Sequence, residues 1–196
     1  MSLAMVVAIC SNVDAFFASH FPDVVPLMPG LAREFLERPV GRMGTVRADA
    51  WSAGEAAVLL GDAAHAIVPF HGQGMNACFE DCFELDRLLR SADDWRSAFE
   101  QFFRLRKPDT DAIAAMALEN FLEMRDTVRD PKFMLRKELS FGLERRHPER
   151  FIPRYSMVMF HHEIPYHVAF ERGRMQIDLL TRLTTTADSV ADIPTA

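Results

Sequence analysis

The sequence predicts a helix-rich α+β fold, and three observations support this prediction. Several long segments repeat their apolar residues at helical spacing and stop near a proline or glycine. Short continuous apolar runs that suit buried strands are few, and the clearest is AAVLL at residues 56–60. Of the 196 residues, 49% are apolar and 26% are charged, which is ordinary for a folded globular chain and argues against disorder.

The first part of the chain alternates short helices with turns. Three prolines and a final glycine mark residues 21–30 as a turn region. In order, the predicted elements are a helix over 14–20, a turn over 21–30, a helix over 31–38, a candidate strand over 45–48, a turn over 51–55 and a buried strand over 56–60.

The rest of the chain is predicted to be mainly helical. The segments are a helix from Gly74 to a break at 91–94, helices over 95–106 and 110–128 separated by Pro108, a helix over 131–146, an extended segment over 151–160 and a last helix from Pro165 to about 183. On the first of these helices, one apolar face comprises Met75, Cys78, Phe79, Cys82, Leu85 and Leu89. Asp81 falls on the other side, with Glu80, Glu84 and Arg87.

The charge balance and the cysteines limit the class of protein. The formal net charge of −6 argues against a nucleic-acid-binding surface, which is normally basic. No apolar run reaches the ~20 residues that span a bilayer, and no basic segment precedes the apolar start as in a signal peptide. Cys10, Cys78 and Cys82 are predicted to be buried, reduced thiols. A cytoplasmic protein is therefore expected, with no nucleic-acid or membrane partner.

One stretch, GDAAHAIVPFHGQGMN at residues 61–76, combines the features of a ligand-binding loop. It follows a predicted strand, and ligands of α/β proteins bind beyond the carboxyl ends of strands. Asp62 can accept hydrogen bonds from polyol or ribose hydroxyls, while Gly61 allows a close backbone approach. Two more glycines lead into a helix N-terminus, which favours an anionic group. The alternative is that Asp62 caps a loop and the glycines only permit a tight turn.

The histidines suggest chemistry without specifying it. His65 and His71, in the same stretch, are either catalytic or neutral, hydrogen-bonded rings. His161, His162 and His167 lack the accompanying carboxylate pattern of a metal site, so no metal is expected.

The run LLGDAAHAIVPFHGQGMNACFEDCFELDRLL at residues 59–89 resembles the FAD-dependent aromatic hydroxylases. The resemblance covers about 14–174, and the ALEN and FIPRYSM segments select the branch of the family that hydroxylates kynurenine. The matching segments are FPDVVPLMP at 21–29, LRKPD at 105–109, ALENFLEMRD at 117–126, FIPRYSMVMF at 151–160 and IPYHVA at 164–169. The resemblance implies the C-terminal portion of a two-domain hydroxylase fold, with few strands and without the N-terminal dinucleotide-binding unit.

The resemblance also implies a division of the chain and a site. The implied parts are a remnant of the substrate-domain region over 1–55, a flavin-contacting strand, loop and helix over 56–92, a C-terminal helical region over 93–185 and a polar tail over 186–196. In this family the flavin carries the chemistry, so no side chain is assigned as catalytic. The resemblance implies FAD as the cofactor and NADPH as the co-substrate. It implies kynurenine, a small aromatic amino acid, as the substrate.

The family's contacts map onto particular residues of this chain. Those implied to contact FAD are Gly61, Asp62, Pro69, Gly72, Gln73, Gly74, Met75 and Asn76. Those implied to contact the substrate are Phe70, His71, Asn120, Met124 and Tyr155. Asn120 and Tyr155 would hydrogen-bond its amino-acid end, and Phe70 and Met124 would pack on its aromatic ring.

The GxGxxG unit with which the family binds the ADP half of FAD does not occur in the 196 residues. One hypothesis is therefore that the chain is part of a kynurenine hydroxylase. On this hypothesis the isolated chain is inactive and needs a complementing N-terminal half. A second is a non-catalytic helical protein that binds a partner or another copy of itself, because a missing neighbouring sheet would leave apolar surface exposed. A third is a hydroxylase of another aromatic substrate, such as a phenol or salicylate.

Overall fold

The computed structural model describes residues 12–193, which divide after Met43 into two compact units. The first unit contains helix α1 (Val13–His20), a 3₁₀ turn (Val25–Leu27) and helix α2 (Leu31–Glu37). The side chain of Asn12 caps α1. The rings of Phe17 and Phe35 pack edge to face with centroids 5.7 Å apart, and this contact joins the two helices.

The second unit is organised by one long helix. Its helices are α3 (Asp62–His65), α4 (Gly74–Ser91), α5 (Trp95–Arg125), α6 (Pro131–Arg146), α7 (Arg154–Phe160) and α8 (Tyr166–Thr184), with 3₁₀ turns at Pro69–His71, Thr127–Arg129 and Val190–Asp192. Helix α5 packs against both α4 and α8, and α8 also packs against α6 and α7. The start of α5 is fixed by Asp94, whose carboxylate accepts a hydrogen bond from the N–H of Ser97 at 2.7 Å.

Three apolar clusters hold this unit together, each of them joining different elements. The cluster between α4, α5, α7 and α8 contains Ala77, Ala112, Ile113, Met116, Met157, Val158, Tyr166 and Ala169. The cluster that fastens the segment before α3 to α4 and α5 contains Trp51, Ala64, Leu88, Ala98, Phe99 and Phe102. The cluster around α6 and the end of α8 contains Leu135, Leu139, Phe151, Leu180, Ala187 and Ile193. The stretch at residues 61–76 contacts both of the first two clusters, because Ala64 belongs to the second and Ile67 packs against the first.

The helix-rich prediction is confirmed, but the prediction of strands is wrong for the described residues. Residues 56–60 make a single antiparallel bridge, from Val58 to Ser52, and do not extend it into a ladder of strand pairs. Residues 45–48 bond instead to the backbone around α3. A strand is stabilised by pairing with other strands, and among residues 12–193 both segments meet a turn or a short helix.

The prediction of two helices separated by Pro108 is also wrong, because α5 continues through the proline. A proline inside a helix removes one backbone hydrogen bond and costs about 3 kcal/mol. Here the flanking residues Arg106 and Thr110 are both buried, so the helix is held on each side of the proline. Tertiary packing outweighs the local preference.

Residues 151–160, predicted to be extended, contain helix α7. Pro153 precedes its first turn, and Met157 and Val158 bury its apolar side. A seven-residue helix is too short for its period to be distinguished from an extended apolar run. The helices predicted over 14–20, 31–38, 131–146 and 165–183, and the one beginning at Gly74, are confirmed within two residues at each boundary.

The apolar face predicted for α4 is not its buried face. The buried residues of α4 are Ala77, Asp81 and Leu88. Phe79 is 64% exposed and Met75 is 68% exposed. The prediction placed Asp81 on the polar side, whereas its carboxylate is fully buried because it has strong partners in α3 and α5.

Candidate functional site

The loop at Gly61 adopts a backbone conformation that is essentially restricted to glycine. Its φ is 59° and its ψ is −138°. A Cβ atom at this position would lie 2.9 Å from Sγ of Cys78, so the loop lies directly on α4. The next residue, Asp62, is exposed, and its carboxylate lies 3.8 Å from the same sulfur atom. Burial and the charge of Asp62 raise the pKa of the Cys78 thiol, which is therefore protonated at neutral pH.

A buried carboxylate, that of Asp81 in α4, fastens this loop. Its Oδ2 accepts a hydrogen bond from the N–H of Gly61 at 3.2 Å and contacts Nε2 of His65. Its Oδ1 accepts a hydrogen bond from Nε of Arg106 at 2.8 Å. Burial works to raise the pKa of Asp81, but the hydrogen bonds from His65 and Arg106 outweigh it and lower the pKa below its ordinary value. The His65 ring also packs on Trp51, at 5.2 Å between centroids.

Arg106 extends this cluster of charged and polar groups towards α8. Its guanidinium lies 2.9 Å from the carboxylate of Glu80 and 3.8 Å from that of Asp109. The Tyr166 hydroxyl donates to Glu80 at 2.9 Å and lies 3.2 Å from the amide oxygen of Gln73. Burial raises the pKa of Tyr166, so the hydroxyl remains a donor across the physiological range. One continuous network therefore links the Gly61 loop, α4, α5 and α8.

The N-terminus of α4 has no side-chain cap. Gln73, the residue before it, is buried, and its amide oxygen accepts a hydrogen bond from the side chain of Asn76 at 2.8 Å. Its amide nitrogen lies 3.0 Å from the sulfur of Met159. Both ends of this side chain are thus occupied by protein partners. The N–H groups of the first turn of α4, beginning at Gly74, have no intrahelical acceptor and create a local positive potential.

The turn before α4 presents the residues predicted to contact a substrate. The side chain of Asn120 in α5 donates to the carbonyl oxygen of Phe70 at 2.5 Å. The Phe70 ring packs on Phe121, with 4.6 Å between centroids. The His71 ring stacks on Tyr155 of α7, with 5.8 Å between centroids and 23° between planes. Four of the five residues predicted to bind substrate are therefore brought together by direct contacts.

His71 has an unusual environment for a polar side chain. The residue is 7% exposed, and its Nδ1 has no hydrogen-bond partner among the described residues. Burial lowers the pKa of His71, and the positive charge of Arg154 adds to this effect. The ring is therefore neutral near pH 7, and the choice between a catalytic and a hydrogen-bonded structural ring stays a prediction. Its Nδ1 is a polar atom that is enclosed by the protein and lacks a hydrogen-bond partner in the described part of the chain.

Several of the other residues predicted to contact FAD or the substrate are exposed to solvent. Pro69, Gly72 and Asn76 are exposed near the start of α4, and Met75 projects into solvent. Met124 is 59% exposed near the end of α5. It therefore does not share the packed arrangement of Phe70 and His71. The assignment of all thirteen residues to a flavin or a substrate stays a prediction.

The sequence reasoning missed Asp81, Arg106 and Tyr166, which organise the site. One signal was present: Asp81 lies four residues after Ala77 and seven before Leu88, on the face that is buried. Cys82 was predicted to be buried, but it is exposed on α4. Cys10 lies outside the described residues.

Two negative findings concern residues 12–193 alone. No group of three or more histidine, cysteine and acidic side chains in this part of the chain is arranged to hold a metal ion. None of the helices between these limits is long and apolar enough to cross a membrane.

The sequence of this chain is similar to a known protein family and to several known enzymes. Residues 28–95 match the model of the FAD binding domain family. The chain is 50% identical over 183 residues to kynurenine 3-monooxygenase of Stenotrophomonas maltophilia, which covers 93% of this chain and 40% of the relative. It is 46% identical over 183 residues to the Myxococcus xanthus enzyme of the same name, covering 93% and 39% of the two chains. The Xanthomonas oryzae pv. oryzae enzyme is 48% identical over 170 residues, covering 87% and 37%.

The matched region contains the Gly61 loop, the Phe70–His71 turn and α4, all of which the geometry brings together. The chain spans about 40% of the length of the curated relatives. The resemblance drawn from the sequence is confirmed: this chain is similar to kynurenine 3-monooxygenases over 93% of its residues, and residues 28–95 match the FAD binding domain family.

Proposed function

We propose that this chain provides the flavin- and substrate-facing part of an FAD-dependent monooxygenase that hydroxylates kynurenine to 3-hydroxykynurenine with NADPH. The observation that carries the proposal is the clustering of Phe70, His71, Asn120 and Tyr155 beside an uncapped helix N-terminus. The names of the relatives support the choice of kynurenine over a phenol or salicylate.

The residues present suit an FAD molecule. Asp62 offers an exposed carboxylate to ribityl or ribose hydroxyls, next to a glycine whose backbone is tightly placed. Gly72 has a φ of 70°, and a Cβ there would meet no atom within 4 Å, so a ligand has room to approach the backbone. The free N–H groups from Gly74 onward would stabilise negative charge on a flavin ring by about 0.3–2 kcal/mol.

When bound, FAD supplies the redox chemistry of hydride acceptance and oxygen activation. The residues of this chain bind, orient and exclude water. Phe70 and Phe121 form an apolar surface for an aromatic ring, and His71, a neutral ring whose buried Nδ1 lacks a hydrogen-bond partner among the described residues, follows Phe70 in the same turn. Asn120 fixes the carbonyl of Phe70 and so holds the turn in place, and Tyr155 covers His71 from α7. No side chain is required to act as an acid or base.

The test is a titration of FAD into the purified chain, followed by flavin fluorescence and by the native mass of the complex. We expect saturable binding of one FAD per chain. Asp62→Ala is expected to weaken it by roughly 10- to 100-fold, because a charge-assisted hydrogen bond is lost. Asp86→Ala, which removes an exposed acid of α4 paired only with Arg90, is the matched control and leaves affinity unchanged. Fluorescence and mass that do not respond up to high micromolar FAD would contradict the proposal.

Catalysis is a separate matter from binding. We infer that the 196 residues by themselves do not form 3-hydroxykynurenine, because no GxGxxG unit occurs among them. NADPH-dependent formation of this product by the purified chain, abolished by Asp62→Ala, would overturn that inference. Substrate-induced changes in the flavin spectrum, compared between kynurenine and salicylate, would decide between the two substrate classes.

A second candidate function, association with a partner or another copy, is favoured by the exposed aromatic rings of this unit. Phe79, Phe83 and Phe160 are 64%, 69% and 73% exposed and line one open cleft of about 790 Å³. We expect the light-scattering mass to rise with protein concentration in the micromolar range. Phe79→Glu with Phe83→Glu should suppress this rise, whereas Arg90→Glu at an exposed site should not. A constant monomer mass would count against association between copies.

A further inference from the structure

We propose that Asp81 is a positioning residue for FAD, which it serves by holding the Gly61–Asp62 loop at a fixed place on α4. The inference rests on the proposed function, because it concerns the same cofactor. Asp81 has no predicted contact with FAD of its own. Its effect is transmitted through the N–H of Gly61 and the ring of His65.

Two separate segments must be placed correctly for FAD to bind. One is the Gly61–Asp62 loop, and the other is the N-terminus of α4, which begins twelve residues after Asp62, at Gly74. Asp81 lies seven residues after Gly74, about two turns further along the same helix. Because a helix is rigid over two turns, a carboxylate bonded to Gly61 fixes the loop relative to the start of α4.

The backbone at Gly61 shows why such a device is needed. Glycine adopts positive and negative φ about equally readily, so the residue itself does not fix the observed conformation and its surroundings must do so. The carbonyl of Gly61 accepts hydrogen bonds from the N–H groups of Ala64 at 2.9 Å and His65 at 3.0 Å, both in the short helix α3 that follows it directly. The bond from its N–H to Asp81 is the contact that ties this peptide to another helix.

The negative charge of Asp81 is stabilised by Arg106, which lies in a third element, α5. Arg106 in α5 donates to the oxygen that Gly61 does not use, so the two bonds do not compete. Arg106 also donates to the carbonyl of Ala77, one turn earlier on α4, at 3.3 Å. The carboxylate is therefore held in one orientation, which is what a fixed acceptor for Gly61 requires.

The experiment compares Asp81→Asn with Asp109→Asn. Asp109 is also buried beside Arg106, but it accepts from the backbone N–H of His167 at 2.9 Å and has no contact with the loop. Each variant is measured for FAD affinity by flavin fluorescence, for amide hydrogen exchange at Gly61, and for unfolding in urea. We expect Asp81→Asn to weaken FAD binding roughly 10-fold and to speed exchange at Gly61 by a similar factor. Asp109→Asn should lower the free energy of unfolding without changing the FAD affinity or the exchange rate at Gly61.

The outcomes separate this inference from the proposed function. Wild-type protein that does not bind FAD overturns both. FAD binding that is equal in wild type and Asp81→Asn, or equally weakened by Asp109→Asn, overturns the positioning role alone. If Asp81→Asn does not fold, His65→Phe provides the test, because it removes one link between Asp81 and the loop and keeps an aromatic ring against Trp51. It should weaken FAD binding while the urea midpoint stays close to that of Asp109→Asn.

Discussion

Replacing Arg106 with Met is expected to lower the free energy of unfolding by about 3–5 kcal/mol. Arg106 is 4% exposed, and its guanidinium neutralises Asp81, which is 0% exposed. Methionine fills a similar apolar volume but removes the guanidinium that pairs with Asp81 and leaves His65 as the other side-chain partner of this buried carboxylate. The cost comes mainly from the buried carboxylate that stays behind. Urea unfolding followed by far-UV circular dichroism measures the change.

Arg104→Met is the matched control two residues earlier on α5. Its ion pair with Glu100 has side chains that are 73% and 53% exposed, so its loss should cost well under about 1 kcal/mol. Equal effects of the two variants would show that the charge of Arg106 is not needed by a buried partner.

The stability of the Arg106→Met variant should depend on pH differently from that of the wild type. The pKa of Asp81 is lowered in the folded state, so its contribution to stability is complete above the unfolded value of about 3.9. It is lost as the pH falls through the lower folded value. Without Arg106 the folded pKa rises, so Arg106→Met should lose stability at a higher pH than wild type. Acid titrations of both proteins, monitored by circular dichroism, test this ordering.

Arg106 also illustrates what the sequence reveals and what it hides. The motif LRKPD indicated the family, and the helical period around it predicted a helix on each side of Pro108. Local propensity alone favours a break at a proline, and α5 does not break there. The tertiary partners of Arg106 in α4 help to explain why α5 continues, and the nearest of them in sequence, Asp81, is 25 residues away.

The candidate site was predictable for the residues that lie close together in sequence. Gly61, Asp62 and the turn before α4 belong to one recognisable stretch, and Asn120 and Tyr155 entered through the resemblance. Asp81 was assigned to the wrong face, because a carboxylate in an amphipathic helix is usually solvated. Its burial depends on Gly61, His65 and Arg106 converging from two other elements, and no periodic pattern records such convergence.

Replacing Gly61 with Ala is the second change from which we expect a large effect. Its backbone lies in a region essentially restricted to glycine, and the new Cβ would lie 2.9 Å from Sγ of Cys78. Strain and overpacking together should lower the free energy of unfolding by about 2–5 kcal/mol. Because relief of the clash moves the loop away from α4, the N–H of Gly61 should also lose Asp81 as its acceptor. Urea unfolding and FAD titration of the same sample measure both consequences.

Gly72→Ala separates the two causes. Gly72 also has a positive φ, of 70°, but a Cβ there would touch nothing within 4 Å. This variant should therefore cost only the left-handed penalty of about 1–2 kcal/mol. A further variant, Gly61→Ala with Cys78→Gly, removes the sulfur atom that the new Cβ would strike. If the clash drives the effect, Cys78→Gly should be less damaging in the Gly61→Ala background than in the wild-type chain. If the two substitutions simply add, backbone strain alone governs the loop, and the packing of Gly61 on α4 is not what places Asp62.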